Sequence, residues 1–345
     1  MPLTPSKIPV FFHKDQLRFK PLYEWAFGDK IDHPETTARA ESILKTLEES
    51  SEFYIISPKD IPLGALRRSH SYNLLTLYNT AKQLPHGETF YPSVFPKSSQ
   101  TRGDPTNIIH AGCYCFDAGT PLSSETWTAA TWSAACAMEA AILVRRDREP
   151  LAYALSRPPG HHVSRDYFGG YSYFNNAALA GKYLRRFGRV ALLDIDFHHG
   201  NGTQSHFYAD DRVLVISIHG DPRECYPFFK GFPSETGTGK GEGFNLNFPL
   251  PKGTSGKEYL ETMENHVLPA LEHFSADFLI VSAGFDTYHR DPVGFFNLQT
   301  RDFGKLGRII GKLKLPSVII QEGGYYTPHL GENVKTFLLG MRETL

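Results

Sequence analysis

The sequence predicts one α/β domain built on a mostly parallel sheet with helices on both faces. Short apolar runs alternate with longer helical patterns along nearly the whole chain, as successive strand–helix–strand units require. Four of those runs end in histidine, carboxylate or glycine clusters, and the carboxyl ends of parallel strands are where open sheets bind ligands. No low-complexity linker interrupts the 345 residues, so a single domain over 1–345 is preferred to two.

Taken in order, 8–12 (IPVFF) reads as the first strand, and Pro34 and Glu35 open a helix over 34–49. Residues 52–57 (EFYIIS) read as a strand and 68–83 as a helix. The segment 85–112 breaks the pattern, with four prolines, three glycines and the aromatics Phe90, Tyr91 and Phe95. A loop that long in a compact domain is usually functional or an interface. The alanine-rich stretch 126–146 gives the clearest helix. A strand over 151–155, a helix over 174–187 and buried strands over 190–193 and 213–218 follow. The glycine-rich segment 231–243 lacks the Lys-Ser or Lys-Thr of a phosphate-binding loop and reads as a surface loop. Helices over 256–274, 301–313 and 331–343 alternate with strands over 278–282 and 317–321.

With 36 basic and 37 acidic residues the net charge is −1, which offers no nucleic-acid footprint. The first residues lack the apolar core of a secretory signal, and no uninterrupted apolar run reaches a bilayer's span. The expectation is a cytoplasmic protein with no membrane or nucleic-acid partner. The four cysteines do not form a disulfide framework, and Cys113 and Cys115 read as ordinary thiols.

The chemistry concentrates in VALLDIDFHHGNGTQSH, residues 190–206. An extended chain alternates its side chains, so Asp194, Asp196 and His198 are expected on one side, at the end of a strand. Phe285-Asp286 and Asp291 follow the strand at 278–282, and Glu322-Gly323-Gly324-Tyr325-Tyr326 follows the strand at 317–321. His161 and His162 lie beyond the strand at 151–155. A catalytic zinc site uses three protein ligands and keeps one position open, and Asp196, His198 and Asp286 supply that number. Asp194 would instead orient a histidine. A histidine beside such a site suits proton transfer near neutral pH, and a tyrosine hydroxyl suits an oxyanion. His199 should face away from His198 and be structural.

Five segments together, RPPGHH, FGGYSYFNNAA, DIDFHHGNGTQ, GFDTYHRDP and EGGY, resemble the zinc-dependent histone deacetylase superfamily, most closely its bacterial acetylpolyamine amidohydrolase branch. HPE at 33–35 is a further signature. The resemblance implies an arginase/deacetylase-like fold with an eight-stranded sheet. It also implies one Zn2+ per chain on Asp196, His198 and Asp286, and a structural K+ near Asp194. His162 would be general base and later acid, His161 its electrostatic partner, and Asp194 and Asn201 would stand behind the pair. Tyr325 would polarise the acyl carbonyl, Gly170 would accept from the scissile N–H, and Tyr171 and Tyr226 would wall the channel. The branch's acidic rim residues are not at the matching positions, Gly119 and Thr128; Glu24, Asp117 and Glu125 are the available substitutes. A comparable insertion in that branch packs against a second subunit, so a homodimer is implied.

The leading expectation is therefore a metal-dependent amidohydrolase acting on acetylpolyamines or acyl-lysine. A lysine deacylase, a dinuclear manganese ureohydrolase on the same fold and a silent binder of acetylated ligands remain as alternatives.

Overall fold

The structure, a computed structural model, describes residues 7–97, 103–147 and 149–345. Eight strands form one all-parallel sheet: β1 Ile8–Phe11, β2 Phe53–Ile56, β3 Leu151–Ala154, β4 Val190–Asp194, β5 Val213–Gly220, β6 Asn245–Leu250, β7 Phe278–Ala283 and β8 Ser317–Gln321. Their spatial order is β6-β5-β4-β7-β8-β3-β1-β2. From β4 the chain moves outward one way to β5 and β6, and from β7 the other way to β8. The strand order therefore reverses between β4 and β7, and a crevice opens at their carboxyl ends.

The run at 190–193 is apolar throughout because both faces of β4 are covered. Val190 and Leu192 pack in the layer of α4 (Thr126–Arg146) and α5 (Asn176–Leu184). Ala191 and Leu193 face the layer of α1 (Thr37–Glu48), α6 (Thr300–Gly311) and α7 (Thr327–Arg342). By length and composition α4 would cross a membrane, but Ala137, Ala140 and Ala141 are fully buried against the sheet layer. No other helix among the described residues meets that test.

Several boundaries differ from expectation. The helix expected from 34 begins at Thr37, because the N–H of Glu35 bonds back to His33 Nδ1 and the Glu35 carboxylate turns to buried arginines. The helix expected over 68–83 is two, α2 (Leu63–Ser69) and α3 (Tyr72–Ala81). Between them His70 is extended and spans Leu66 O and Asn175 N, while Ser71 caps α3. The helix expected over 256–274 carries a π turn at Met263–Val267, just before Pro269, whose ring cannot donate to the preceding turn. Strand β6 was not expected. FNLNFPL mixes Asn and Pro into its run, residues depleted in strands and tolerated here because β6 is an edge.

A hairpin of Tyr23–Ala26 with Asp29–Asp32 was also not expected; it turns on Phe27 and Gly28, both at positive φ. Within the insertion Thr89–Phe90 pairs with Leu122–Ser123, and a 3-10 turn spans Ile108–Cys113. Its centre, 98–102, lies outside the described residues. Tyr91 stacks on Tyr23 at 4.4 Å and its hydroxyl donates to Tyr23 O at 2.7 Å, so the insertion clasps the hairpin.

Candidate active site

Strand β4 ends at Asp194, and the next residues leave the extended path that the alternation argument assumed. The N–H of Asp196 bonds Asp194 Oδ1 at 3.1 Å, and the N–H of His198 bonds Asp196 Oδ1 at 2.8 Å. These local side-chain turns separate the three residues into different tasks. Asp194 turns to His161, with Oδ2 2.9 Å from Nδ1. Asp196 and His198 meet Asp286 from the β7 loop, and His198 Nδ1 lies 3.1 Å from Asp196 and 3.0 Å from Asp286. One donor atom from each of these three falls within 4.8 Å of the others, and all three residues are buried. His199 turns away as expected and packs on His219 with ring centroids 4.5 Å apart.

The floor under this cluster is glycine. A Cβ at Gly284 would overlap the Asp196 carboxylate, and one at Gly323 would overlap both carboxylates. The N–H of Gly323 donates to Asp196 Oδ2 at 2.7 Å, and that of Phe197 to Asp286 Oδ1 at 2.8 Å. Two buried carboxylates this close repel. Burial, then the Asp196 charge, pushes Asp286 up to about 7, while Asp196 is held low against burial by His161 and His198. His198 rises to about 10 against burial because both carboxylates hold its proton. A divalent cation would take the place of that proton and balance both charges, so the donor set fits a metal ion.

Two neighbouring histidines are driven apart. Burial would lower His161, but Asp194 and Asp196 overcome it and hold the ring protonated. Burial, then the charges of His161 and His198, pushes His162 well down, so it stays neutral. Their rings are 4.1 Å apart, and His162 is 6.2 Å from His198. His162 Nδ1 is 2.7 Å from Asn201 Oδ1, which places its proton on Nδ1 and leaves Nε2 basic.

The remaining expected residues converge on the same crevice. Gly170 passes so close to His162 that a Cβ would enter the imidazole ring. Tyr226 stands 5.2 Å from His162, Tyr171 stands 5.9 Å from Tyr325, and Tyr325 is raised by burial, within reach of the Asp286 and Asp196 charges. Asp117 accepts from Gly170 N at 2.6 Å and from the Tyr226 hydroxyl at 2.7 Å. Glu24, carried in by the hairpin, hydrogen-bonds Tyr171 and is pushed up to about 7 by burial, with Asp117 adding to the rise. Glu125 is not in the crevice: it pairs with Arg18 at 2.8 Å.

Sequence reading missed the charged support beneath. Glu35 pairs with Arg39 at 2.9 Å and Arg157 at 2.8 Å, all three buried. Arg39 also donates to the carbonyls of Gly324 and Glu322 and lies 4.6 Å over the Tyr325 ring. Glu322 accepts from the N–H groups of Gly160 and His161. Arginines four residues after HPE and directly before PPGHH were the available signal.

Residues 33–341 match the Histone deacetylase domain family. The chain belongs to that family. It is thus a hydrolase of the deacetylase type. It is 39% identical over 339 residues to the acetylpolyamine amidohydrolase of Burkholderia pseudomallei (strain 1710b), covering 96% of this chain and 98% of that one. The acetylpolyamine amidohydrolase of Mycoplana ramosa is 36% identical over 339 residues, 96% and 99% of the two chains. A crystal structure of acetylpolyamine aminohydrolase from Burkholderia pseudomallei superposes with a TM-score of 0.91 at 38% identity, over 98% of this chain and 99% of that one. The arginase/deacetylase-like fold expected from the motifs is the fold observed, with eight strands all parallel.

Proposed function

We propose that this deacetylase hydrolyses the acetyl amide of small cationic amines, acetylpolyamines above all, with one zinc ion on Asp196, His198 and Asp286. The observation that carries the substrate class is the pair of acidic groups in the crevice, Glu24 beside Tyr171 and Asp117 beside Tyr226. Two neighbouring carboxylates in a channel walled by aromatic rings suit a slim chain ending in an ammonium group. The names of the relatives point the same way.

Bound there, the ion would polarise the acyl carbonyl and acidify water. His162, neutral with Nε2 basic, takes the proton of the attacking water. His161, protonated and braced by Asp194, adds positive charge beside the developing negative charge. Tyr325, its phenol kept protonated by burial, donates to the former carbonyl oxygen as the carbon becomes tetrahedral. The Gly170 carbonyl accepts the scissile N–H, and a histidine of the pair returns a proton to the leaving amine. Acetate and a free amine result.

Three further assignments belong to the same reading. Asp194 and nearby backbone carbonyls would hold a structural potassium ion, and Ser217 lies level with Asp194 on the adjacent strand. The insertion at 85–112 supports a homodimer and narrows the mouth. Four free cysteines are in keeping with a reducing cytoplasmic setting. The substrate assignment is tested by kcat/KM for N-acetylputrescine, acetylspermidine, an acetyl-lysine peptide and a neutral N-alkylacetamide. Preference for the acetylated polyamines supports it; preference for the peptide makes the chain a lysine deacylase.

A further inference from the structure

Asp291 lies five residues beyond Asp286, and its carboxylate is 8% exposed as part of the residue. It accepts four backbone N–H groups. Oδ2 takes those of Tyr325 at 2.6 Å and Tyr326 at 3.1 Å, and Oδ1 takes those of Val293 at 3.0 Å and Gly294 at 3.3 Å. One side chain thus joins the loop after β7, which carries Asp286, to the loop after β8, which carries Tyr325. The second loop has little stiffness of its own, because Gly323 and Gly324 precede the tyrosine and Gly324 sits at φ +118. The carbonyls of Glu322 and Gly324 are gripped by Arg39, the Gly323 amide is held by Asp196, and the amides of Tyr325 and Tyr326 are held by Asp291. The turn that presents Asp291 is itself pinned: Asp291 N bonds Tyr288 O, and Leu298 N bonds Thr287 O.

We propose that Asp291 is a positioning residue that aims the Tyr325 hydroxyl at the Asp196–His198–Asp286 cluster. The inference rests on the reading of Tyr325 as donor to the substrate carbonyl. A carboxylate is needed because all four partners donate. Asparagine has one acceptor oxygen, and its NH2 would face two N–H groups with nothing to accept.

The test is a double-mutant cycle of Asp291→Asn and Tyr325→Phe, with metal content and folding measured for each variant. Asp291→Asn is expected to lower kcat on the order of tenfold or more with KM within about twofold, keeping one metal per chain. Its loss should not exceed that of Tyr325→Phe, and the double variant should be no slower than Tyr325→Phe alone. Losses that multiply would overturn the inference, as would loss of metal with recovery when metal is added. If Tyr325→Phe is itself fully active, the reading of Tyr325 fails instead, and with it the premise. Should Asp291→Asn not fold, Asp291→Ser, which keeps one acceptor oxygen, is read in the same cycle with the same criteria.

Discussion

Tyr325 and Tyr326 are adjacent in sequence but meet different surroundings. Tyr325 lies against Tyr171 and Arg39 within reach of the Asp286 charge, whereas Tyr326 packs near Tyr288 and His329. Tyr325→Phe should therefore cost roughly a hundredfold or more in kcat, the usual loss for one oxyanion donor, and Tyr326→Phe should be mild. Steady-state rates of the two variants on one acetylated amine check the ranking. Glu24 gives a second prediction at this scale. Burial raises its carboxyl from the ordinary 4.5 to about 7, so the neutral acid is favoured in the folded protein. The stability this contributes is present below about 4.5 and lost as pH rises through about 7. Cation recognition runs the opposite way, because only the carboxylate attracts an ammonium group. KM for an acetylated diamine, relative to a neutral acetamide, should fall as pH rises through about 7, and Glu24→Gln should flatten that ratio. A ratio unchanged by the substitution would remove Glu24 from recognition. These residue roles were only partly legible. Asp196, His198 and Asp286 stand out because they follow apolar runs. Glu24 sits in YEWAFGDKID, whose hairpin character rests on a Phe-Gly turn that no alternation announces.

Among the elements, the HPE turn and the insertion do most to hold the crevice together. Glu35 pairs with both Arg39 and Arg157, and Arg157 also donates to the carbonyls of Gln16, Phe19 and Thr36. Glu35→Gln strands two buried guanidinium groups and should destabilise by about 3–5 kcal/mol. Denaturation midpoints report this, and a variant as stable as wild type would show the pairs to be unimportant. The insertion holds the hairpin through Tyr91 and Tyr23. Replacing 88–106 with a Gly/Ser linker should free the hairpin, blunt the preference for small cationic substrates and yield monomers. Solution mass and the ratio of small to peptide substrate rates measure both effects; a dimer with an unchanged ratio contradicts both. An insertion of prolines and aromatics was visible in sequence, but its attachment to Tyr23 was not, since nothing local links residues 68 positions apart.

At the scale of the molecule, the alternation of strands and helices was enough to expect a parallel sheet, because both faces of each inner strand must be covered and the runs are therefore uniformly apolar. The order of the strands was not legible from those runs. It places β4 beside β7, and so brings Asp286 to Asp196 and to His198, 88 residues away along the chain from the latter. Edge strand β6 was missed for the complementary reason. With one neighbour only, it carries Asn245 and Asn247, which bond to Gln204 rather than filling an apolar core. On the proposed function, that arrangement would hold one divalent ion that serves amide hydrolysis. The most direct test is to strip the protein of metal, add back Zn2+ stepwise and follow acetate release from N-acetylputrescine. The account predicts activity that rises to a break at one equivalent per chain and is absent throughout in Asp286→Ala. Full acetate release by the stripped protein, or a break at two equivalents, would contradict it.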